Sequence, residues 1–235
     1  MASIEMNNYI VHLVEDRDRL VEILRDGFVP NYHKEDLSPT EKKEDRFVVG
    51  IPMTSFADVP MDQLGPLMNE YGRFGIIMSK LWALEAENLS PVLYISDMKY
   101  LETVIEGINS GSIPLDFIRY TKKFISEWDG KPYLNYVERE WRHALPDNIA
   151  QWYRSEKDYN FWRYSSHKRP APTDILNQNT LTFDIKDIVG IILPNEKDKK
   201  LLIQSIRGVN SFSGHTRKLS TTEFSYLASL IRKSI

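Results

Sequence analysis

Residues 135 to 146 read NYVEREWRHALP and place two carboxylates, two guanidinium groups and an imidazole within twelve positions. Taken as a strand from Leu134 to Leu145, the stretch puts Tyr136, Glu138, Glu140 and Arg142 on one face and Val137, Arg139, Trp141 and His143 on the other. Carboxylates at i and i+2 on one face repel each other, so the pair suits only two settings. One is a solvated edge strand, where alternating charges guard against aggregation. The other is a site, in which one carboxylate stabilises a developing cation or orients a sugar hydroxyl while its neighbour positions or activates a nucleophile. Arg142 on the same face would offset the repulsion and lower the pKa of its neighbour, and Trp141 and Val137 behind it would anchor the strand.

Other polar residues interrupt apolar segments. His12 shares a strand face with Ile10 and Val14 just before a helix, as a backbone-bonded histidine or as a ligand-contacting imidazole. Met53 to Asp58 offers Thr54 or Ser55 to a ligand, or is a strand entering a Pro-ended turn. Tyr71-Gly72-Arg73-Phe74-Gly75 sets two glycines around an aromatic and a cation, which suits a hairpin or a close approach of backbone to a ligand. Lys80-Leu81-Trp82 follows it, with Trp82 better suited to the core than to stacking. Residues 151 to 169 interleave six aromatics with Arg154, Lys157, Arg163, His167, Lys168 and Arg169. That composition suits bases stacked beside phosphate contacts, and equally a set of core aromatics separated by solvated cations.

The elements that must position these groups follow from periodicity. Tyr9 to Val14 is a strand, and Asp16 or Asp18 caps a helix carrying Leu20, Ile23 and Leu24 that ends at Gly27. Residues 33 to 46 are charged and aperiodic, which predicts an exposed loop. FVVGIPMTSFADVP predicts one or two short strands broken by Gly50, Pro52 and Pro60. Phe74 to Met78 and Val92 to Ile95 are strands around a helix from Lys80 to Ala86. Residues 97 to 128 read as helices separated at Gly107, Gly111 and Pro114. LTFDIKDIVGIILP predicts a strand pair whose second member, Ile188 to Leu193, is apolar throughout and therefore buried on both faces. A helix from Lys197 to Ile206 follows, and Ser220 to Glu223 forms a capping box for a last helix carrying Phe224, Leu227, Leu230 and Ile231. The class is α+β.

Composition narrows the chemistry. The 235 residues hold 42% apolar and 27% charged residues, as in an ordinary globular chain. A net charge of -3 provides no global field for nucleic acid. With no cysteine, thiol nucleophiles, disulfides and thiolate metal sites are excluded, and the five histidines show no ligand spacing. No apolar run approaches the roughly 20 residues of a membrane span, and the start lacks a signal-peptide core, so a cytoplasmic protein is expected. GxGxxG, GxxxxGK[ST], GxSxG and HExxH are all missing from the sequence.

In order, a strand histidine, SFADVP, YGRFGIIMSKLWA, VEREWR and DIVGIILP resemble the AbiGi family of phage abortive-infection proteins, from Tyr9 to about Leu202. Ala57 stands where that family usually carries a cysteine. More distantly, the same order resembles the ADP-ribosyltransferase fold of DarT-like toxins and RNA 2′-phosphotransferases. That resemblance implies a single domain over 1–235 with a split mixed β-sheet core, a helical insertion at about 97–130 and an aromatic-basic loop region at about 147–179. It implies NAD as substrate, with Glu140 or Glu138 as the catalytic carboxylate, His12 on the ribose and Tyr71 stacked on the nicotinamide. Ser55, Gly72, Lys80 and Arg142 complete the NAD-binding set, no metal is needed, and Trp152, Arg154, Trp162 and Arg163 form an acceptor surface for RNA or DNA. The expected activity is ADP-ribosyl transfer in anti-phage defence, through an oxocarbenium-like state that a strand carboxylate stabilises. AbiGi proteins are also described as antitoxin-like members of a two-gene system, which implies instead a non-catalytic protein that binds a toxin or a phage trigger protein. A third expectation is an NADase that uses the same site with water.

Overall fold

The structure is a computed structural model that describes residues 7–40, 46–86, 89–128, 131–155, 157–160 and 173–233. In chain order, β1 (Tyr9–Val14) leads to α1 (Arg17–Asp26), β2 (Asn31–Asp36) and β3 (Val48–Ala57). α2 (Gly65–Tyr71), β4 (Phe74–Ser79), α3 (Lys80–Glu85), β5 (Leu89–Pro91), β6 (Leu93–Ile95) and α4 (Met98–Asn109) follow. Then come β7 (Thr121–Lys123), β8 (Ile125–Trp128), β9 (Lys131–Leu134), β10 (Glu140–Ala144) and α5 (Asp174–Gln178). The chain continues through β11 (Ile188–Leu193), α6 (Glu196–Arg207), α7 (Thr221–Ser229) and β12 (Ile231–Lys233). The class is mixed α+β with an open, mainly antiparallel sheet, and no described helix is long and apolar enough to cross a membrane.

The chain packs as two compact units. The first comprises residues 1–29, 55–89 and 180–235. In it β4 pairs antiparallel with β1, Tyr9 opposite Ser79 through Val14 opposite Phe74. β11 joins the other side of β4 with a register shift between Ile188 and Gly190, and β12 runs parallel to β11. Because strand side chains alternate, Val11, Ile77 and Ile192 pack against Val59, Leu64 and Leu67 on one face. On the other face Phe28, Phe56, Trp82 and Phe183 meet edge-on or tilted, with centroids 4.9 to 6.4 Å apart. Asp16 caps α1 by accepting the Arg19 N–H, and Gly27 ends it at φ 86°. Ser220 and Glu223 close the capping box of α7.

The second unit comprises residues 30–54 and 90–179. β2 pairs antiparallel with β3 from Asn31 opposite Met53 to Asp36 opposite Val48. Leu37, Val49, Ile51, Met53, Ile95, Leu101, Ile105, Ile118, Ala144 and Trp152 form its core. α4 enters this core through Leu101 and Ile105, and Asp97 caps it by accepting the Lys99 and Tyr100 N–H groups.

Several elements differ from the sequence-based expectation. The charged stretch predicted as a loop over 33–46 begins inside β2, and Leu37 and Ser38 beyond it are buried; residues 41–45 lie outside the described residues. Gly50 and Pro52 do not break β3, which is one continuous ten-residue strand. Gly50 exchanges hydrogen bonds with Tyr153, and the Pro52 carbonyl accepts from the Leu145 N–H on that same side. The N–H that proline lacks would thus point away from β2, where its loss leaves the β2–β3 ladder intact. Beyond α4 the predicted second helix is a 3₁₀ segment, Leu115–Tyr120, followed by the short strands β7 and β8. LTFD contributes only an isolated bridge, Leu181 to Phe28. The last helix ends at Ser229, before Leu230 and Ile231.

Candidate functional site

NYVEREWRHALP is not one strand. Asn135–Glu138 forms a 3₁₀ turn, and Arg139 follows in the left-handed region at φ 42° and ψ 54°. That conformation is uncommon for a residue with a Cβ, and it bends the chain before β10 starts at Glu140. Tyr136 and Val137 are consequently exposed, so Val137 does not anchor the segment. Every residue of β10 is buried, which rules out a solvated edge face. Trp141 is buried as expected, and His143 Nε2 lies 3.3 Å from the Asn179 carbonyl.

The turn brings Glu138 beside Glu140 by a route that alternation does not provide. Lys122 of β7 lies between them, donating to Glu138 Oε2 at 2.7 Å and to Glu140 Oε2 at 3.0 Å. Pairing of β6 with β7 sets Lys122 opposite Tyr94, and the Tyr94 hydroxyl accepts the Glu140 N–H at 2.8 Å. The Tyr133 hydroxyl donates to Glu138 Oε1 at 3.0 Å.

Arg142 completes the cluster from a fully buried position. Its Nε donates to Glu140 Oε1 at 2.8 Å and its Nη2 to Glu140 Oε2 at 3.1 Å. Nη2 also donates to Glu35 Oε1 on β2 at 2.8 Å, and Nη1 reaches the carbonyls of Arg119 and Thr121 at 3.4 Å. Three buried carboxylates thus surround the buried Arg142 and the partly buried Lys122. Burial by itself would pull the Lys122 ammonium down, but Glu140, Glu35 and Glu138 outweigh it and hold its pKa well above the ordinary lysine range. Arg142 behaves the same way against Glu140 and Glu35. Burial pushes the Tyr94 phenol up to about 12, although the bond from the Glu140 N–H opposes the rise.

Glu35 and Lys122 were not among the residues predicted for a site. Glu35 sits in a charged run, and its one sequence signal is that strand alternation puts it on the face of Leu37. Lys122 shows itself only as a cation held between Tyr120 and Phe124.

The remaining predicted residues divide between the units. Glu138, Glu140, Arg142, Trp152 and Arg154 belong to the second unit; His12, Ser55, Tyr71, Gly72 and Lys80 belong to the first. His12 Nδ1 lies 2.7 Å from the Ser55 carbonyl, and its ring meets the rings of Phe28 and Phe56 at 5.3 and 5.5 Å. Tyr71 is exposed at the end of α2. Lys80 Nζ donates to Asp58 Oδ2 at 2.7 Å. Gly72 makes the close backbone approach its type suggested, but toward the Val14 carbonyl of its own fold.

Trp152 is 1% exposed, and its Nε1–H donates to the Leu145 carbonyl at 2.9 Å. In this place its ring serves as a core side chain and offers no open face to a base. Trp152→Phe is expected to leave that buried carbonyl unpaired and to cost about 1–3 kcal/mol, seen as a lower urea midpoint at an unchanged slope. Arg154 pairs with Asp147. Trp162 and Arg163 lie outside the described residues. No group of three or more His, Cys, Asp and Glu that could hold a metal ion occurs among the described residues.

Residues 26–194, more than half of the chain, match the model of the family described as "Putative abortive phage resistance protein AbiGi, antitoxin". No curated protein matches the chain, and no solved structure matches it.

Proposed function

The chain belongs to the AbiGi family, and from that membership we propose that it is the antitoxin-like member of a toxin–antitoxin pair, a protein that binds and restrains a toxic partner protein. The family places it in phage abortive infection and carries the description antitoxin. One structural observation supports binding over ADP-ribosyl transfer: both carboxylate oxygens of Glu140 already accept hydrogen bonds from Arg142 and Lys122. A transferase carboxylate gains its effect by bonding a ribose hydroxyl more strongly in the transition state than in the ground state. Glu140, 6% exposed and held by two cations, would have to give up those bonds before meeting a sugar. The cluster is better suited to fixing β2, β7 and β10 of the second unit than to turning over a substrate.

The test is expression with the partner gene of the two-gene system. Cells producing the partner alone are expected to stop growing, and cells also producing this chain are expected to recover. A Glu140→Gln variant verified as folded by circular dichroism should restore growth as wild type does. In parallel, purified wild type with labelled NAD should release no nicotinamide and label no protein, DNA or RNA. Nicotinamide release by wild type that disappears in folded Glu140→Gln would overturn the proposal in favour of the transferase.

A further inference from the structure

Among the described residues, the cluster of the second unit sets three buried carboxylates, Glu35, Glu138 and Glu140, against two ion-paired cations, Lys122 and Arg142. An uncompensated charge in such a place is costly, and a carboxyl there takes up a proton instead. The three are not held alike. Glu140 accepts from both cations, and Glu138 accepts from Lys122 and the Tyr133 hydroxyl. Glu35 accepts one hydrogen bond among the described residues, at Oε1, from an Arg142 Nη2 that it shares with Glu140.

We infer that Glu35 carries the cluster's missing proton at neutral pH, on Oε2, and that loss of this proton as the pH rises weakens the second unit, which makes the cluster a pH-sensitive clamp. The groups that face Glu35 come from several elements. β10 presents Arg142 and Glu140, and β7 presents Lys122. On β3, the residue opposite is the apolar Val49. On its own strand, His33 and Lys34 are exposed, and Asp36 is occupied by Arg46 at 3.4 Å and Lys123 at 3.9 Å. The Arg119 carbonyl accepts from Arg142, while the Arg119 guanidinium donates to the Ala144 carbonyl through Nη1 and lies 3.9 Å from Asp116 through Nε. Burial is the largest influence on the Glu35 carboxyl and pushes its pKa up, with Arg142 and Lys122 opposing.

The sign follows. A carboxyl whose pKa is higher in the fold than in the unfolded chain holds more protons in the fold, so stability falls as pH rises between the two values. One such proton changes the folding equilibrium by at most about tenfold per pH unit. Glu35→Gln keeps an acceptor for Arg142 and fixes the neutral form.

Urea unfolding of the full chain from pH 5 to pH 8 is expected to show wild type and Glu35→Gln equally stable at the acid end. Wild type should then lose stability relative to the variant, by up to about tenfold in folding constant per pH unit. Infrared spectra of wild type at neutral pH, compared in H2O and D2O, should show a protonated carboxylic C=O band that Glu35→Gln lacks. Parallel pH profiles would overturn the proposal, and so would a band that persists in Glu35→Gln, because the proton would then reside on another carboxyl. If Glu35→Gln does not fold, the wild-type spectrum decides. A carboxylic band that titrates away with the loss of stability upholds the inference, and its absence at neutral pH overturns it.

Discussion

Arg142→Met is expected to cost the fold about 3–5 kcal/mol, because removing one member of a buried ion pair leaves its partners charged and uncompensated. Here Glu140 loses one of its two cations, and Glu35 loses the donor that holds it among the described residues. Arg142 supplies two bonds to the Glu140 carboxylate, beside the one from Lys122, and the one that holds Glu35, and two carbonyls at 3.4 Å lose a donor as well. A methionine of similar length fills the space, so the loss reports charge rather than a cavity. The damage should also depend on pH. Without Arg142, Glu35 loses the cation that chiefly opposes its burial, which raises its folded pKa further. Stability is then retained at low pH and lost as the pH rises through the new value, so the deficit should narrow at pH 5 and widen at pH 8. Adding Glu35→Gln and Glu140→Gln to Arg142→Met should restore much of the loss, since it neutralises the two carboxylates that lost Arg142 and leaves the Lys122–Glu138 pair in place. Urea midpoints of the single and triple variants at both pH values provide the measurement. A loss below about 1 kcal/mol, the size of an exposed pair, would mean that water reaches the cluster.

How much of this was legible beforehand depends on the distance over which each signal acts. β1, the Asp16 cap, the Gly27 stop and the Ser220–Glu223 capping box are local patterns, and they stand where the sequence put them. β2 was missed because NYHKED has a loop's composition; its extended form comes from six residue pairs with β3, not from intrinsic propensity. The turn at Arg139 was missed for a related reason, since nothing in the residue type signals a left-handed arginine. The i, i+2 spacing of Glu138 and Glu140 signals mutual repulsion and points to Arg142 as the group that offsets it, and Arg142 does bond Glu140. Their other compensating cation, Lys122, lies 16 and 18 residues away, and Glu35 lies 107 residues from Arg142. Spacing rules do not reach so far. The same limit applies to Gly72, whose neighbour Val14 is brought close by the pairing of β1 with β4.

Gly72→Ala is expected to be the most damaging exchange of a single hydrogen for a methyl group in the first unit, at about 3 kcal/mol or more. Two independent causes add. Gly72 sits at φ 113° and ψ 162°, a region essentially reserved for glycine, where another residue costs about 1–3 kcal/mol. A Cβ at this position would also stand 2.1 Å from the Val14 carbonyl oxygen and 2.5 Å from the Glu15 Cα. Both are backbone atoms, and no rotamer change moves them aside. Relief requires parting α2 from the end of β1, whose Val14 pairs with Phe74 two residues beyond the glycine. Gly65 provides the contrast, because nothing lies within 4 Å of a Cβ built there. Gly65→Ala should therefore change stability by less than about 1 kcal/mol. If Gly72 instead served a ligand, Gly72→Ala would leave the urea midpoint of the free protein intact and impair binding alone. A midpoint lowered in the free protein, with Gly65→Ala unchanged beside it, assigns the glycine to the joint between α2 and β1.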